Sequence, residues 1–238
     1  MIIEGNVSVK AALLGNRREV IRLIGDPKKK DRDTAFIYRR AEERNIPVEF
    51  MERVQIDALA KGHTHGGLLA ECGNRQYQEL DACLGKDAFL CLLEGVEDPY
   101  NLGYVIRTLY SAGCTGLILR KRDWSAAEST ILRASAGAFE YLNIVLSDDM
   151  SASLRQIRES GVSCFAAMRS DRAVPYTEAP LKKPVLLAIG GEMRGLSSGV
   201  RKEIDTDIYI PYANDFRNAL NAAAAAAVLA YEVVRQNP

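Results

Sequence analysis

The first third of the chain alternates between helical and extended hydrophobic periods. "NVSVKAALLGN" carries apolar residues at helical spacing and runs into Gly15-Asn16, a pair suited to ending a helix. "EVIRLIG" then reads as a short strand. "RDTAFIYRRAEERN" reads as an amphipathic helix, with Ala35, Ile37, Tyr38 and Ala41 expected near one face. "IPVEFM" and "GGLLAEC" read as strands, with "VQIDALAKG" as the helix between them. These repeats predict a small α/β module over residues 1–72.

A polar stretch without a strong period follows, "GNRQYQELDACLGKD". It reads as a linker over residues 73–85, with a helical turn expected near 79–84. Beyond it the pattern changes. "AFLCLLEGV", "TGLILR", "LNIVLS", "VSCFAAM", "PVLLAIGG" and "DIYIPY" are continuous apolar runs rather than alternating ones. Such runs mark strands covered on both faces, as in a mostly parallel sheet. Helical segments at 102–112, 126–136, 151–160 and 197–204 separate most of them, and a terminal helix follows. Residues 86–238 are therefore expected to form a larger α/β layered domain. Ligands of such sheets bind beyond the carboxyl ends of the strands, so the loops that follow strands carry the interest.

Three of those loops stand out. In "LLEGVEDPYNLGYVIRTLYSAG" the strand ends at Glu94-Gly95. Asn101 is the expected N-cap of a helix that buries Leu102, Val105, Ile106 and Leu109, and Arg107 falls off that face. Taken alone, this is a capped helix with a surface arginine. In "LLAIGGEMRGLS" a strand runs into Gly190-Gly191, then Glu192 and Gly195. Glycines there permit positive φ and close backbone approach to a ligand. Neither a dinucleotide fingerprint nor a phosphate-binding P-loop is present. Glu192 reads equally as an acid favouring a helix N-terminus. In "IPYANDFRNALNAAAAAAVLAYE", Asn214, Asp215 and Asn218 are candidates for turn and capping bonds before a helix opening with six alanines. That helix is slim, and with Val228, Leu229, Tyr231 and Val233 it is apolar around much of its girth.

Composition adds limits. Lysine plus arginine and aspartate plus glutamate balance at 31 each in 238 residues, so net charge indicates neither nucleic acid nor membrane. The stretch from Arg17 to Arg44 is basic, however, with ten lysines and arginines against six acids. Arg17, Arg18, Lys28, Lys29, Lys30, Arg39 and Arg40 are candidates for RNA contact there, or else solvated surface charge. Five scattered cysteines without a C-x-x-C pair read as reduced thiols of a cytoplasmic protein. No apolar leader or membrane-length run is visible. His63 and His65 lack a third ligand nearby and read as turn residues rather than a metal site. Trp124, beside Arg120, Lys121 and Arg122, suits either packing or stacking on a base.

Taken together and in order, the three loops resemble the SpoU (TrmH-like) branch of the SPOUT RNA methyltransferases. "RASAGAFEYL" is similar to a further family segment, and "EGNVSVKAAL" and "HTHGGLLAE" resemble the RNA substrate-binding domain often fused ahead of it. The resemblance implies a SPOUT-like C-terminal domain with a mostly parallel sheet and a deep trefoil knot, preceded by a small α/β substrate-binding domain. It implies methyl transfer from S-adenosylmethionine to ribosomal or transfer RNA, usually to a ribose 2′-hydroxyl, without metal. It assigns Ile189, Gly190, Gly191, Gly195, Ile210 and Leu220 to cofactor contact. Arg107, Asn101, Glu192 and Asn221 fall to the catalytic machinery. A homodimer is implied, with Arg107 serving the partner's site.

One departure is visible. The family usually has Ser-Leu-Asn before the last helix, whereas this chain has Ala219-Leu220-Asn221, and the preceding turn looks one residue longer. Asn218 or Arg217 would have to fill the gap. An RNA-binding protein of the same fold with lost or altered catalysis is the rival reading that Ala219 supports. A nucleotide-dependent oxidoreductase is a second, opposed by the missing glycine fingerprint.

Overall fold

A computed structural model describes residues 1–62, 64–191, 193–216 and 218–238. The chain divides into two units: residues 1–76 with 126–141, and residues 77–125 with 142–238.

The first unit begins with a strand that the periodicity did not mark, β1 (Ile2–Glu4), too short for an alternation to register. It is followed by α1 (Asn6–Gly15), β2 (Val20–Gly25), α2 (Arg32–Glu43), β3 (Val48–Phe50), α3 (Arg53–Leu59) and β4 (Leu68–Cys72). The sheet order is β1-β4-β2-β3, with β4 antiparallel to both neighbours and β2 parallel to β3. Helix α1 ends as expected, with Asn16 left-handed at φ 54°. Helix α2 is capped by Asp31, which accepts from the Thr34 N–H. Its buried seam is Thr34, Ile37 and Ala41, whereas Ala35 is exposed. The seam therefore turns slightly from the expected one. Thr34 tolerates burial because its hydroxyl donates to Asp31 at 2.8 Å and accepts from the Asn6 amide at 3.2 Å.

The second unit opens with a 3-10 turn at Leu80–Cys83, inside the stretch read as linker, where a helical turn was expected. Then come β5 (Phe89–Glu94), α4 (Pro99–Ser111) and β6 (Gly116–Arg120). The chain next forms α5 (Glu128–Ala134) and a 3-10 turn at Ala138–Glu140, both in the first unit. It resumes the second with β7 (Ile144–Ser147), α6 (Met150–Glu159), β8 (Ser163–Ala167), β9 (Val174–Pro175), β10 (Val185–Gly190), α7 (Ser198–Lys202), β11 (Thr206–Tyr209) and α8 (Ala222–Gln236). The seven strands run in the order β7-β6-β5-β10-β8-β11-β9, and every neighbouring pair is parallel. Only β9, two residues long, was not anticipated. Leu90, Leu92, Ile118, Leu154 and Leu186 are fully buried in one cluster on this sheet. Each such side chain contributes about 1.5–3 kcal/mol of burial. The direction change between β5 and β10 creates a switch point of the kind that positions ligand sites.

Within the first unit, residues 126–141 are fastened to the module by a buried arginine. The Arg18 side chain is fully buried and pairs with Glu128 at 3.0 Å and Glu140 at 2.8 Å. Burial opposes its charge, but the two carboxylates, Glu140 foremost, hold the guanidinium above its ordinary pKa. Arg75 adds a bond to the Phe139 carbonyl at 2.8 Å. Gly137, at φ 87°, packs where a Cβ would lie 2.6 Å from that of Ala11. The expectation that Arg18 offers a charge to RNA is thus overturned. Its charge is consumed internally.

Several minor readings resolve in the same way. His65 is buried, with Nε2 3.0 Å from Asp57 and Nδ1 accepting from the Gly67 N–H, which is a turn role. His63 lies outside the described residues. Trp124 is buried with the Arg122 guanidinium 3.9 Å over its ring, so it packs rather than presenting a face to a base. All five cysteines are free and buried, and burial pushes the thiols of Cys72, Cys114 and Cys164 up to about 12. Among the described residues, no group of three histidine, cysteine or acidic side chains could hold a metal ion, and no helix is long and apolar enough to cross a membrane.

Candidate active site

Strands β10, β8 and β11 are neighbours in the sheet, and the segments that leave their carboxyl ends enclose a cleft of about 390 Å³. Ala167, Met168 and Arg169 line it from the end of β8. The loop after β10 contributes Gly191, Arg194 and Leu196. Ile210 and Tyr212 line it beyond β11, and Ala222, Ala225 and Leu229 of α8 close one side. Small residues at the start of α8 are what allow that helix to stand so close to the strand ends.

The glycines after β10 also answer a packing need that the sequence did not show. Gly190 lies opposite Glu94 in the β10–β5 register. A Cβ on Gly190 would come within 2.6 Å of the Gly195 Cα and 2.7 Å of the Leu196 nitrogen. One on Gly191 would lie 2.6 Å from the Gly95 carbonyl carbon. Both glycines exist so that backbone packs on backbone. Positive φ belongs to Gly195 alone, at 60° and with open space around it. The loop is held by Glu94, a residue that was passed over. Its carbonyl accepts from the Gly191 N–H at 2.6 Å. Its carboxylate accepts from the Ser197 N–H at 2.7 Å and pairs with Arg120 at 3.1 Å. The available signal was an acid ending an otherwise apolar strand. Such a residue, 7% exposed here, must find partners.

The loop between β11 and α8 is organised by Tyr212. Its hydroxyl accepts from the Leu220 N–H at 2.9 Å, tying the two ends of the loop together. The Arg169 guanidinium lies 4.1 Å over its ring, and Phe216 packs at 6.3 Å. Asn221 caps α8, accepting from the Ala224 N–H at 2.8 Å. That cap had been looked for in Asn214, Asp215 and Asn218. Ala219, where the resemblance led to an expected serine, lines the cleft and offers it a methyl group. Arg217 lies outside the described residues.

Of the residues singled out beforehand, Ile189, Gly190, Gly191, Gly195, Ile210 and Leu220 all line the cleft. Glu192 lies outside the described residues. Asn221 begins α8 without being among the lining residues. Asn101 and Arg107 sit on α4 and do not line the cleft. The expectation that Asn101 caps α4 is corrected. Asp98 is the cap, accepting from the Asn101 N–H at 2.8 Å, and Pro99 takes the first helical position, where its missing N–H is no loss. Arg107 is exposed, off the Leu102–Val105–Ile106–Leu109 seam, and shares the outer surface of α4 with Tyr100, Tyr104 and Tyr110. Missed altogether were Met168, Arg169 and Tyr212. An apolar strand running into Met168-Arg169 was the only hint. The cleft therefore has apolar walls, backbone N–H and carbonyl groups along its glycine loop, and guanidinium groups at its mouth. That combination suits a flat ligand with polar edges, such as a nucleoside.

The model of the SpoU rRNA Methylase family matches residues 88–231, and that of the domain described as RNA 2'-O ribose methyltransferase substrate binding matches residues 2–78. A protein of Staphylococcus saprophyticus assigned to the TrmH family of tRNA/rRNA methyltransferases is 28% identical over 242 residues, covering 99% of this chain and 96% of its own. Its counterpart in Staphylococcus haemolyticus is 30% identical over 206 residues, 84% of this chain and 82% of its own. The crystal structure of an AdoMet-bound rRNA methyltransferase from Sinorhizobium meliloti superimposes with a TM-score of 0.82 at 24% identity, covering 100% of this chain and 87% of that one. At that identity the likeness speaks for the fold.

Proposed function

The chain belongs to the SpoU rRNA methylase family, and from that premise we propose that it transfers a methyl group from S-adenosylmethionine to a ribose 2′-hydroxyl of ribosomal or transfer RNA. The observation that carries this reading is the convergence of segments after β8, β10 and β11 on one cleft. Its size falls within the roughly 300–1,000 Å³ of small-molecule sites. Ile189, Ile210 and Leu220 would flank the adenine, and the backbone of Gly190, Gly191 and Gly195 would meet the polar edges of the nucleoside, with Asn221 at the adjoining start of α8. When bound, the cofactor supplies a methyl group on a positively charged sulfur.

A ribose hydroxyl is a poor nucleophile and must lose its proton as the methyl moves. Arg107 would position the neighbouring phosphate and stabilise the developing oxyanion, and Asn101, six residues earlier in the first turn of α4, would assist it. Because Arg107 stands outside the cleft lining, we read it as serving the site of a second copy. The exposed Tyr100, Tyr104 and Tyr110 of α4, with Tyr231 and Val234 of α8, support packing of such a homodimer. We further read the segment from β10 to α8 as a deep trefoil knot; the packing of α8 against both α4 and β10 supports this. The first unit would hold the RNA, and a cytoplasmic location suits such a substrate.

The test is Arg107→Ala. Methyl transfer to unmodified ribosomal and transfer RNA transcripts should be abolished, while S-adenosylmethionine binding by calorimetry stays within about threefold of wild type. Near-normal turnover would sink the assignment. Mapping the methylated atom by mass spectrometry decides between ribose and base.

A further inference from the structure

Resting on that reading, we propose that Arg169, Arg194 and Arg201 form a clamp for a backbone phosphate of the RNA at the mouth of the cleft. The three come from separate segments: the end of β8, the loop after β10, and α7. All line the cleft and all are exposed. Among the described residues elsewhere in the same unit, five arginines are matched with acids, whereas Arg107 on α4 and Arg122, which lies over the Trp124 ring, are not. Arg120, Arg155, Arg158, Arg172 and Arg235 stand 2.6–3.7 Å from carboxylates. Among the described residues, none of the three at the cleft is in an ion pair, and no aspartate or glutamate lines the cleft.

Charge decides which ligand these groups suit. S-adenosylmethionine carries a sulfonium and an ammonium against one carboxylate, so it is a net cation. Three guanidinium groups facing it repel more than they attract, and one acid at Glu192 would not balance them. A phosphodiester supplies the missing negative charge and matches the guanidinium fork. It also belongs there, because the accepting nucleotide has to reach the methyl donor through this mouth.

Arg169 is the most firmly placed. Its guanidinium lies 4.1 Å over the Tyr212 ring, and the Tyr212 hydroxyl is bonded to the Leu220 N–H. Stacking of this kind leaves the in-plane N–H donors free. The cation is thus held against the wall of the cleft, and among the described residues its donors make no side-chain hydrogen bond or ion pair.

The experiment compares Arg169→Gln, Arg194→Gln and Arg201→Gln, singly and together, with Lys202→Gln as a neighbouring charge that does not line the cleft. Filter binding to unmodified bacterial ribosomal RNA transcripts is measured across a salt series. Each arginine removed should weaken RNA binding roughly tenfold and flatten the slope of log K against log salt by about 0.7–0.9. Arg169→Lys should restore most of the slope. Calorimetric affinity for S-adenosylmethionine should stay within twofold throughout, and Lys202→Gln should change the RNA affinity by less than threefold. If cofactor affinity falls in parallel with RNA affinity, the arginines read the cofactor carboxylate and the clamp is wrong. If neither RNA affinity nor slope changes, they are plain surface charge. Should the wild-type protein methylate no transcript, the transferase reading falls, and the binding series still decides the clamp.

Discussion

Replacing Gly191 by alanine tests whether the loop after β10 is held by backbone contact. The added Cβ would lie 2.6 Å from the Gly95 carbonyl carbon and 3.2 Å from its Cα. Carbon atoms prefer about 3.5–4.0 Å. No rotamer change relieves this, because the opposing atoms are main chain. The two segments must part by about 1 Å, which breaks the 2.6 Å bond from the Gly191 N–H to the Glu94 carbonyl. The lost bond costs about 1 kcal/mol. The forced displacement adds about 1–3 kcal/mol, for a total of about 2–4 kcal/mol. If the strain is confined to the loop, it appears as weaker S-adenosylmethionine binding, roughly 30- to 700-fold. If it spreads, it lowers the urea midpoint. Gly195→Ala is the counterpart. It meets nothing within 4 Å and suffers only its φ of 60°, a cost of about 1–2 kcal/mol. Calorimetry and urea denaturation on both variants give the comparison. Gly191→Ala indistinguishable from wild type in both assays, or milder than Gly195→Ala, would refute the backbone-contact argument.

Three further outcomes are expected. Arg18→Met strands the buried carboxylates of Glu128 and Glu140 and should destabilise by about 3–5 kcal/mol; an unmoved urea midpoint would contradict the buried triad. Tyr212→Phe removes the acceptor for the Leu220 N–H, about 1 kcal/mol. It should weaken cofactor binding about fivefold with little change in overall stability, so an equal loss in both would point to a general packing defect instead. Hydrogen bonding from Arg235 holds the Glu232 carboxyl below its ordinary 4.5. Its stabilising contribution is complete above 4.5 and is lost as pH falls through the lower folded-state value. Glu232→Gln should therefore flatten the acid limb of the stability profile, and an unchanged limb would show that other carboxylates dominate it.

The parallel sheet was legible because its strands are covered on both faces, and continuous apolar runs such as "PVLLAIGG" express that directly. The cleft was legible because glycines and polar turns interrupt those runs just where the strands end. What escaped depended on distant partners. Glu94 looked like the end of a strand, yet its meaning comes from Gly191 and Ser197, about a hundred residues later. Arg18 looked like surface charge because nothing local marks Glu128 and Glu140 as its partners. Asn101 was preferred to Asp98 because both are good caps. The intervening proline settles the choice by taking the first helical position. Ala35 in place of Thr34 was an error of one residue, or 100° of helix rotation, of the kind that arises when a polar residue is assumed to face outward.

The segment from 126 to 141 has a bearing on the order in which the molecule can assemble. The ribosome releases residues 1–76 long before Glu128 and Glu140 exist. During that interval the module has Arg18 but neither of the carboxylates that accompany it in burial. Its mature interior must wait until β5, α4 and β6 have also been synthesised. A polypeptide ended at residue 78, where the substrate-binding match stops, would keep that unmatched cation permanently. Portability of the module therefore follows the chain's contacts rather than its linear map: grafting it onto another enzyme would require the later segment to travel with it.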